Sequence, residues 1–140
     1  TGIQGTKSYR LFPTHEAVPK LMENLIAFIY DHKFQESLFS VHKAASLSYN
    51  FVNMHPFRDG NGRMSRLLMN YVLRKDGEIY YPLSLRLSIH KERNLYYRSL
   101  EYADKTKSLA HYKYFIVRHL CKSLSETEMS LELVAGKFLS

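Results

Sequence analysis

His55-Pro56-Phe57-Arg58-Asp59-Gly60-Asn61-Gly62-Arg63-Met64-Ser65-Arg66 decides how this chain folds. Pro56 ends the helix before it, because the residue preceding a proline is pushed out of α geometry. Leu67, Leu68, Tyr71 and Val72 follow as apolar pairs four apart, the spacing of a buried helix face. The stretch is therefore the loop of a helix-loop-helix. A loop that opens a helix presents unpaired backbone N–H groups and the positive end of the helix dipole, which suits a phosphate. Gly60 and Gly62 let backbone approach a ligand closely or take positive φ. Arg63 and Arg66, three apart, share one face of the first turn. The stretch reads as a cradle for a nucleotide phosphate chain, with His55 beside it as a base.

Outward from the loop the pattern is helical on both sides. Upstream, Ala44, Ala45, Ser48, Phe51 and Val52 place a helix over about 41–54, its small residues allowing another helix close. Downstream a helix is predicted from about Asn61 to Lys75, stopped at Gly77. Nearer the N-terminus, Val18, Leu21, Met22, Leu25, Phe28 and Ile29 repeat at helical spacing to about His32. Thr14 is the expected N-cap, and Pro19 is tolerated because it falls in the first turn. Residues 1–13, with Gly2, Gly5, Ile3, Tyr9 and Phe12, read as an extended or hairpin segment. Beyond the loop, Ser88 is the expected cap of a helix carrying Leu95, Tyr96, Ser99, Leu100 and Ala103. A last helix over about 108–124 uses Ala110, Tyr114, Phe115, Val117, His119 and Leu120. Residues 125–140 are weakly helical and read as a tail or a partner helix. The expected fold is all-α, one domain over 1–124, with a helix-loop-helix at its centre and a short β-hairpin at its start.

Composition narrows the class. At 140 residues, 45% hydrophobic and 24% charged, the chain has the make-up of one soluble globular domain. Its apolar runs are a few residues long, too short to span a bilayer. It opens mid-pattern, like an excised domain, without a signal-peptide pattern, and a cytoplasmic setting is favoured. A lone Cys121 excludes an internal disulfide and any cluster built on several cysteines, and is read as a small apolar filler. The net charge of +7 raises nucleic-acid binding, yet the basic residues are spread evenly and form no block, so no nucleic-acid partner is expected.

Each residue of the loop also has an ordinary use. His55 is a helix-end packing residue or a general base. Asp59 is a helix cap or the ligand of a divalent cation, since hard cations on phosphates take one or two carboxylates. Asn61 offers its amide to a phosphate oxygen or closes an Asx turn. Arg63 and Arg66 are solvated helix charges or forks for phosphate oxygens. Arg58 is read as pointing outward, and Phe57 and Pro56 as the anchor that fixes the loop.

Together they form a pattern: HPFRDGNGR at 55–63 resembles the Fic family signature HPFx[DE]GN[GK]R, with Arg66 completing its longer form. Ala17–Leu25, Lys43–Asn53 and Tyr96–Glu101 are similar to the helices that flank that signature, so the resemblance covers roughly residues 1–124. It implies an AMP transferase, in which a target Ser, Thr or Tyr hydroxyl attacks the α-phosphate of ATP. It also implies roles: His55 as base, Asp59 holding Mg²⁺ (or Mn²⁺), Gly60, Asn61 and Gly62 as the anion nest, Arg63 on the phosphate chain and Arg66 at the γ-phosphate. Residues 2–10 would be a flap on which a target protein adds as a strand, with Ile3 either its apolar contact or an ordinary strand residue. Tyr97 aligns with a base-flanking aromatic, although at least one of Tyr96 and Tyr97 is expected in the core. Asp104 stands where relatives of the metazoan enzyme place an Asn facing adenine. A carboxylate accepts from the adenine amino group but cannot donate to a ring nitrogen. Runner-up chemistries at the same site are de-AMPylation and transfer of UMP or phosphocholine, with a non-catalytic nucleotide-binding module further behind. Many members carry an inhibitory [ST]xxxE[GN] helix whose Glu pairs with the second motif Arg. Here only Glu23-Asn24 ends correctly, with Pro19 in the Ser/Thr position. The inhibitory motif is thus not read in these residues: a helix or antitoxin meeting Arg66 would lie upstream of Thr1 or on a separate chain, or does not exist.

Overall fold

The computed structural model describes residues 10–31, 40–75 and 85–139. Residues 1–9 of the expected flap, with Ile3, and the expected stop at Gly77 lie outside these, and residues 10–13 have no regular secondary structure. Within the described residues every regular element is a helix, as the periodicity predicts.

Helix α1 (Val18–Tyr30) begins with Pro19 in its first turn, where a missing N–H is harmless. Its cap is Ala17, whose carbonyl accepts from the Leu21 N–H at 3.1 Å. Thr14 does not cap the helix through its hydroxyl. Its backbone carbonyl takes the Ala17 N–H at 3.0 Å, closing a turn just upstream. Leu25 is the buried contact of α1, with Met22 and Ile29 packed beside it.

Helices α2 (Ser40–Met54) and α3 (Asn61–Lys75) form the most extensive pairing in the fold. Ala44, Ala45 and Ser48 are fully buried, and their small size lets α3 approach. Asn61, Ser65, Met69, Val72 and Leu73 line the opposing face of α3 at helical spacing. The Ser48 hydroxyl lies 2.9 Å from that of Ser65 and 2.5 Å from that of Tyr112. This buried chain of hydroxyls ties α2 and α3 to the last helix. Burial pushes the Tyr112 phenol pKa strongly up, so the group stays neutral. The loop 55–60 therefore hangs between two helices that cannot slide without leaving buried hydroxyls unpaired.

The expected Ser88 cap is not a cap. Leu85 and Ile89, four apart and both buried, continue the helical period through Ser88 as a separate short helix, α4 (Leu85–Lys91). The break falls at Glu92, and α5 (Arg93–Thr106) follows it, ending at Lys107 in the left-handed region. Glu92 is held by the last helix, with Arg118 Nη2 at 3.1 Å and His119 Nε2 at 2.9 Å. His119 is buried, and desolvation lowers its pKa from the ordinary 6.5 despite the pull of Glu92. The unfolded chain thus binds more protons at His119 over a window below about 6.5, so stability falls as pH drops through it. Urea midpoints are expected to be lower at pH 5.5 than at pH 7.5, and His119→Gln is expected to flatten that difference. An unchanged pH dependence in the variant would assign it elsewhere.

Helix α6 runs unbroken from Ala110 to Leu139, well past the predicted end near Leu124. Its core face is Tyr112, Phe115, Ile116, His119 and Leu120. Tyr114, expected inside, is exposed, and so is Cys121, one position off the buried face and hence no core filler. Past Leu124 the helix leaves the core: Met129, Leu131, Leu133 and Val134 are all exposed. Among the described residues, no helix is long and apolar enough to cross a membrane.

Candidate phosphate cradle at the start of helix α3

The loop is shaped by two backbone conformations. His55 caps α2 in the left-handed region (φ 48°), its N–H bonding the Phe51 carbonyl at 3.1 Å. That conformation is uncommon for a residue with a side chain, though His tolerates it better than most. Gly60 at φ 89° then swings the chain into α3, and its carbonyl accepts from Met64 N–H at 2.9 Å. Gly60 is thus the N-cap of α3. The N–H groups of Asn61, Gly62 and Arg63 are the orphan donors of the first turn.

This first turn borders a cavity of about 290 Å³ lined by His55, Arg58, Asp59, Gly60, Asn61, Gly62, Arg63 and Arg66. A Cβ at Gly60 would meet the Arg63 guanidinium at 3.4 Å, and one at Gly62 would meet that of Arg66 at 3.4 Å. Both arginines therefore fold back over the glycines. Arg63 Nη2 bonds Asp59 Oδ2 at 2.9 Å, a pair so exposed that its net worth is small and either partner is readily released. Arg66 is half-buried and lacks a carboxylate partner among the described residues. Burial lowers its pKa; the charges of Arg86 and Arg63 act the same way, and Tyr96 opposes them. Two guanidinium groups beside the N-terminal turn of a helix are the chemistry that suits an anion such as a phosphate.

Of the residues singled out in the sequence, His55, Asp59, Gly60, Asn61, Gly62, Arg63 and Arg66 all border this cavity. Asn61 does so differently from the expected phosphate contact. Its side chain is buried, with Oδ1 accepting from Phe57 N–H at 3.0 Å and Nδ2 donating to the Phe57 carbonyl at 2.7 Å. Its amide staples the loop, leaving the backbone N–H for a ligand. Arg58, read as outward surface, borders the cavity too. Its only sequence signal was its place inside the loop.

Tyr97 and Asp104 stand apart from the cavity. Tyr97 is exposed, with the Arg93 guanidinium 5.4 Å over its ring, whereas Tyr96 packs against Tyr112 and Phe115 as the core member of the pair. Asp104 does not offer a free carboxylate to a base. Its Oδ2 pairs with Arg10 Nε at 2.9 Å, and its Oδ1 accepts from Tyr49 at 2.6 Å and from Arg10 Nη2 at 3.3 Å. Burial, and then donation to Asp104, raise the Tyr49 pKa, keeping it a donor. Neither Arg10 nor Phe12, whose ring stacks on His55 at 4.1 Å, was legible as part of this neighbourhood, because nothing in their spacing points to residue 55.

Comparison with known proteins gives a consistent picture. The sequence pattern of the Fic/DOC family matches residues 3–73. Protein adenylyltransferase Fic of Drosophila willistoni is 41% identical over 73 residues, which are 52% of this chain and 14% of that protein. A Fido domain-containing protein of Dictyostelium discoideum is 35% identical over 96 residues, 69% of this chain and 64% of its own. Among solved structures, a Fic family protein from Desulfovibrio desulfuricans superposes with a TM-score of 0.75 at 26% identity, over 91% of this chain and 38% of that one. Fic-1 of C. elegans superposes with a TM-score of 0.69 at 27% identity, over 98% of this chain and 38% of that one. The chain thus spans only part of the length of each.

Proposed function

Because the chain belongs to the Fic/DOC family, we propose that it transfers AMP from ATP to a hydroxyl of a protein target and releases pyrophosphate. The observation that carries this reading is the convergence of His55, Asp59, Arg63, Arg66 and the first N–H groups of α3 on one cavity. Relatives that match about half of the chain, in Drosophila willistoni and Drosophila yakuba, are named protein adenylyltransferase Fic.

In the proposed reaction a Ser, Thr or Tyr oxygen forms a bond to the α-phosphorus. The bond from that phosphorus to the oxygen bridging it to the β-phosphate breaks, pyrophosphate leaves, and the hydroxyl proton passes to the His55 imidazole. A histidine exchanges protons near neutrality, which suits it to this task. The N–H groups of Asn61, Gly62 and Arg63 hold non-bridging oxygens where charge develops, and the Arg63 and Arg66 guanidinium groups grip the outer phosphates. Arg66, without a carboxylate partner among the described residues, is the group an acidic side chain of an inhibitory helix or antitoxin would occupy in competition with the γ-phosphate.

Asp59 is the residue that would hold Mg²⁺ or Mn²⁺. Its carboxylate is exposed at the cavity and, among the described residues, held only by Arg63, and one carboxylate together with phosphate oxygens is a normal ligand set for such an ion. When bound, the ion neutralises charge on the α- and β-phosphates. The target is proposed to dock along residues 1–13, with Ile3 as an apolar contact.

Incubating the protein with ATP and Mg²⁺, with itself and a cell lysate as acceptors, tests the reading by mass spectrometry. Adenylyl groups on Ser, Thr or Tyr side chains are expected. Phosphoryl groups in their place would contradict it.

A further inference from the structure

His55 has an orientation problem. Its side chain is exposed, and among the described residues no carboxylate or carbonyl accepts from its ring nitrogens. An exposed imidazole hops between rotamers on a picosecond-to-nanosecond scale, whereas a base works best when held in line with the proton it takes. The structure supplies one restraint on the ring. Phe12 stacks on it, centroids 4.1 Å apart and planes inclined by 27°. Stacking fixes the plane of the imidazole while leaving both nitrogens at its edge open.

Phe12 is in turn held from two residues upstream. Leu11 is 93% exposed, whereas Arg10 reaches Asp104 and Phe12, 44% exposed, lies against the His55 ring. Arg10 pairs with Asp104 of α5 and donates to Asn53 in the last turn of α2, two residues before His55. Its positive charge also sits favourably at the C-terminal end of that helix. Tyr49, one turn earlier on α2, donates to the same Asp104 carboxylate. The latch and the stacked ring therefore lie along one end of α2.

We propose that residues 10–12 form a strap that positions the base: Phe12 sets the plane of the His55 ring, and the latch of Arg10 to Asp104 and Asn53 holds Phe12 in place. Phe12 and Arg10 are positioning residues for the reaction. The proposal rests on reading His55 as the base, but its geometry can be tested without turnover.

The test is proton–carbon NMR of the histidine rings in the whole chain, for wild type, Phe12→Leu, Arg10→Gln and Arg10→Lys, alongside AMP-transfer kinetics. Both side chains are partly exposed, and unchanged signals from buried Tyr112 serve as the check that each variant is folded. In the wild type the carbon-bound protons of the His55 ring are expected upfield, under the Phe12 ring current, with direct cross-relaxation to Phe12. Phe12→Leu and Arg10→Gln are expected to remove both signatures, while Arg10→Lys keeps them in part. kcat is expected to fall about tenfold in the first two variants, with KM for ATP changed less than about twofold. His55 signals unaffected by Phe12→Leu, or a Phe12–His55 contact intact in Arg10→Gln, would overturn the strap. Intact signatures that respond as expected, in a protein that transfers no AMP, would uphold the strap and sink the functional reading instead.

Discussion

His55→Ala is expected to lower kcat/KM for AMP transfer by about 10²–10⁴-fold, the usual contribution of a positioned general base, while ATP affinity stays within about twofold. The two effects separate because His55 lies at the end of α2 and the phosphate donors lie at the start of α3. Removing the imidazole takes away part of the cavity wall but none of the proposed phosphate donors. It also removes a side chain held in the left-handed region, where alanine is less comfortable still, so a small loss of stability is expected alongside. Isothermal titration with a non-hydrolysable ATP analogue and Mg²⁺ measures the binding arm, and initial rates with labelled ATP measure the other. A variant that loses affinity in proportion to activity would make His55 a ligand for the nucleotide and leave the base unassigned.

The second large effect is expected at Asn61. Its amide satisfies both the N–H and the carbonyl of Phe57 from a buried position. Asn61→Ala leaves two backbone groups unpaired and is expected to destabilise the fold by about 2–3 kcal/mol. Because Gly60, Asn61 and Gly62 share the loop that the amide closes, activity is expected to fall by about 10²-fold through a misplaced cradle. Asn61→Asp keeps the acceptor for Phe57 N–H but loses the donor and adds a negative charge beside the anion site, so it is expected to bind ATP more weakly than the alanine variant. Thermal unfolding and ATP titration distinguish this from the direct phosphate contact that the sequence suggested. Weakened ATP binding with unchanged stability would restore the direct contact.

The helices around the site were legible because their apolar periods are long and bounded. Ala44, Ser48 and Phe51 mark the inner face of α2, and Asn61 to Lys75 reads as one helix from its glycine entry to its basic end. The break at Glu92 was not legible. Nothing local interrupts the helical period there, and Glu92 is held by Arg118 and His119, 26 and 27 positions later in the sequence. Ser88 was the better cap by propensity, but the buried pair Leu85 and Ile89 overrides propensity. The length of α6 was missed for the opposite reason. Its second half has no core period to read, yet residues such as Leu131, Glu132, Leu133 and Lys137 sustain a helix that continues one already formed.

At the site, residue types showed which groups gather but not which atoms remain free. HPFRDGNGR announces a base, a carboxylate, glycines and an arginine in one loop, and these do converge. That Asn61 turns its amide on Phe57, and that Asp104 is held by Arg10 and Tyr49, are facts of pairing across the fold. Arg10 lies 94 positions from Asp104, and Phe12 lies 43 from His55. Pairs so distant leave no trace in spacing. Under the proposed strap, the contacts of Arg10 and Phe12 set the plane of the imidazole that the proposed reaction uses as its base.

The central claim is that this cradle, with His55 beside it, directs attack to the α-phosphate. Parallel reactions with ATP labelled at the α or the γ position, in Mg²⁺ and with lysate or the protein itself as acceptor, test it most directly. Protein-bound label is expected from the α position alone, and it is expected to vanish in His55→Ala. Label arriving from the γ position, or equal α-labelling by wild type and His55→Ala, would contradict the account.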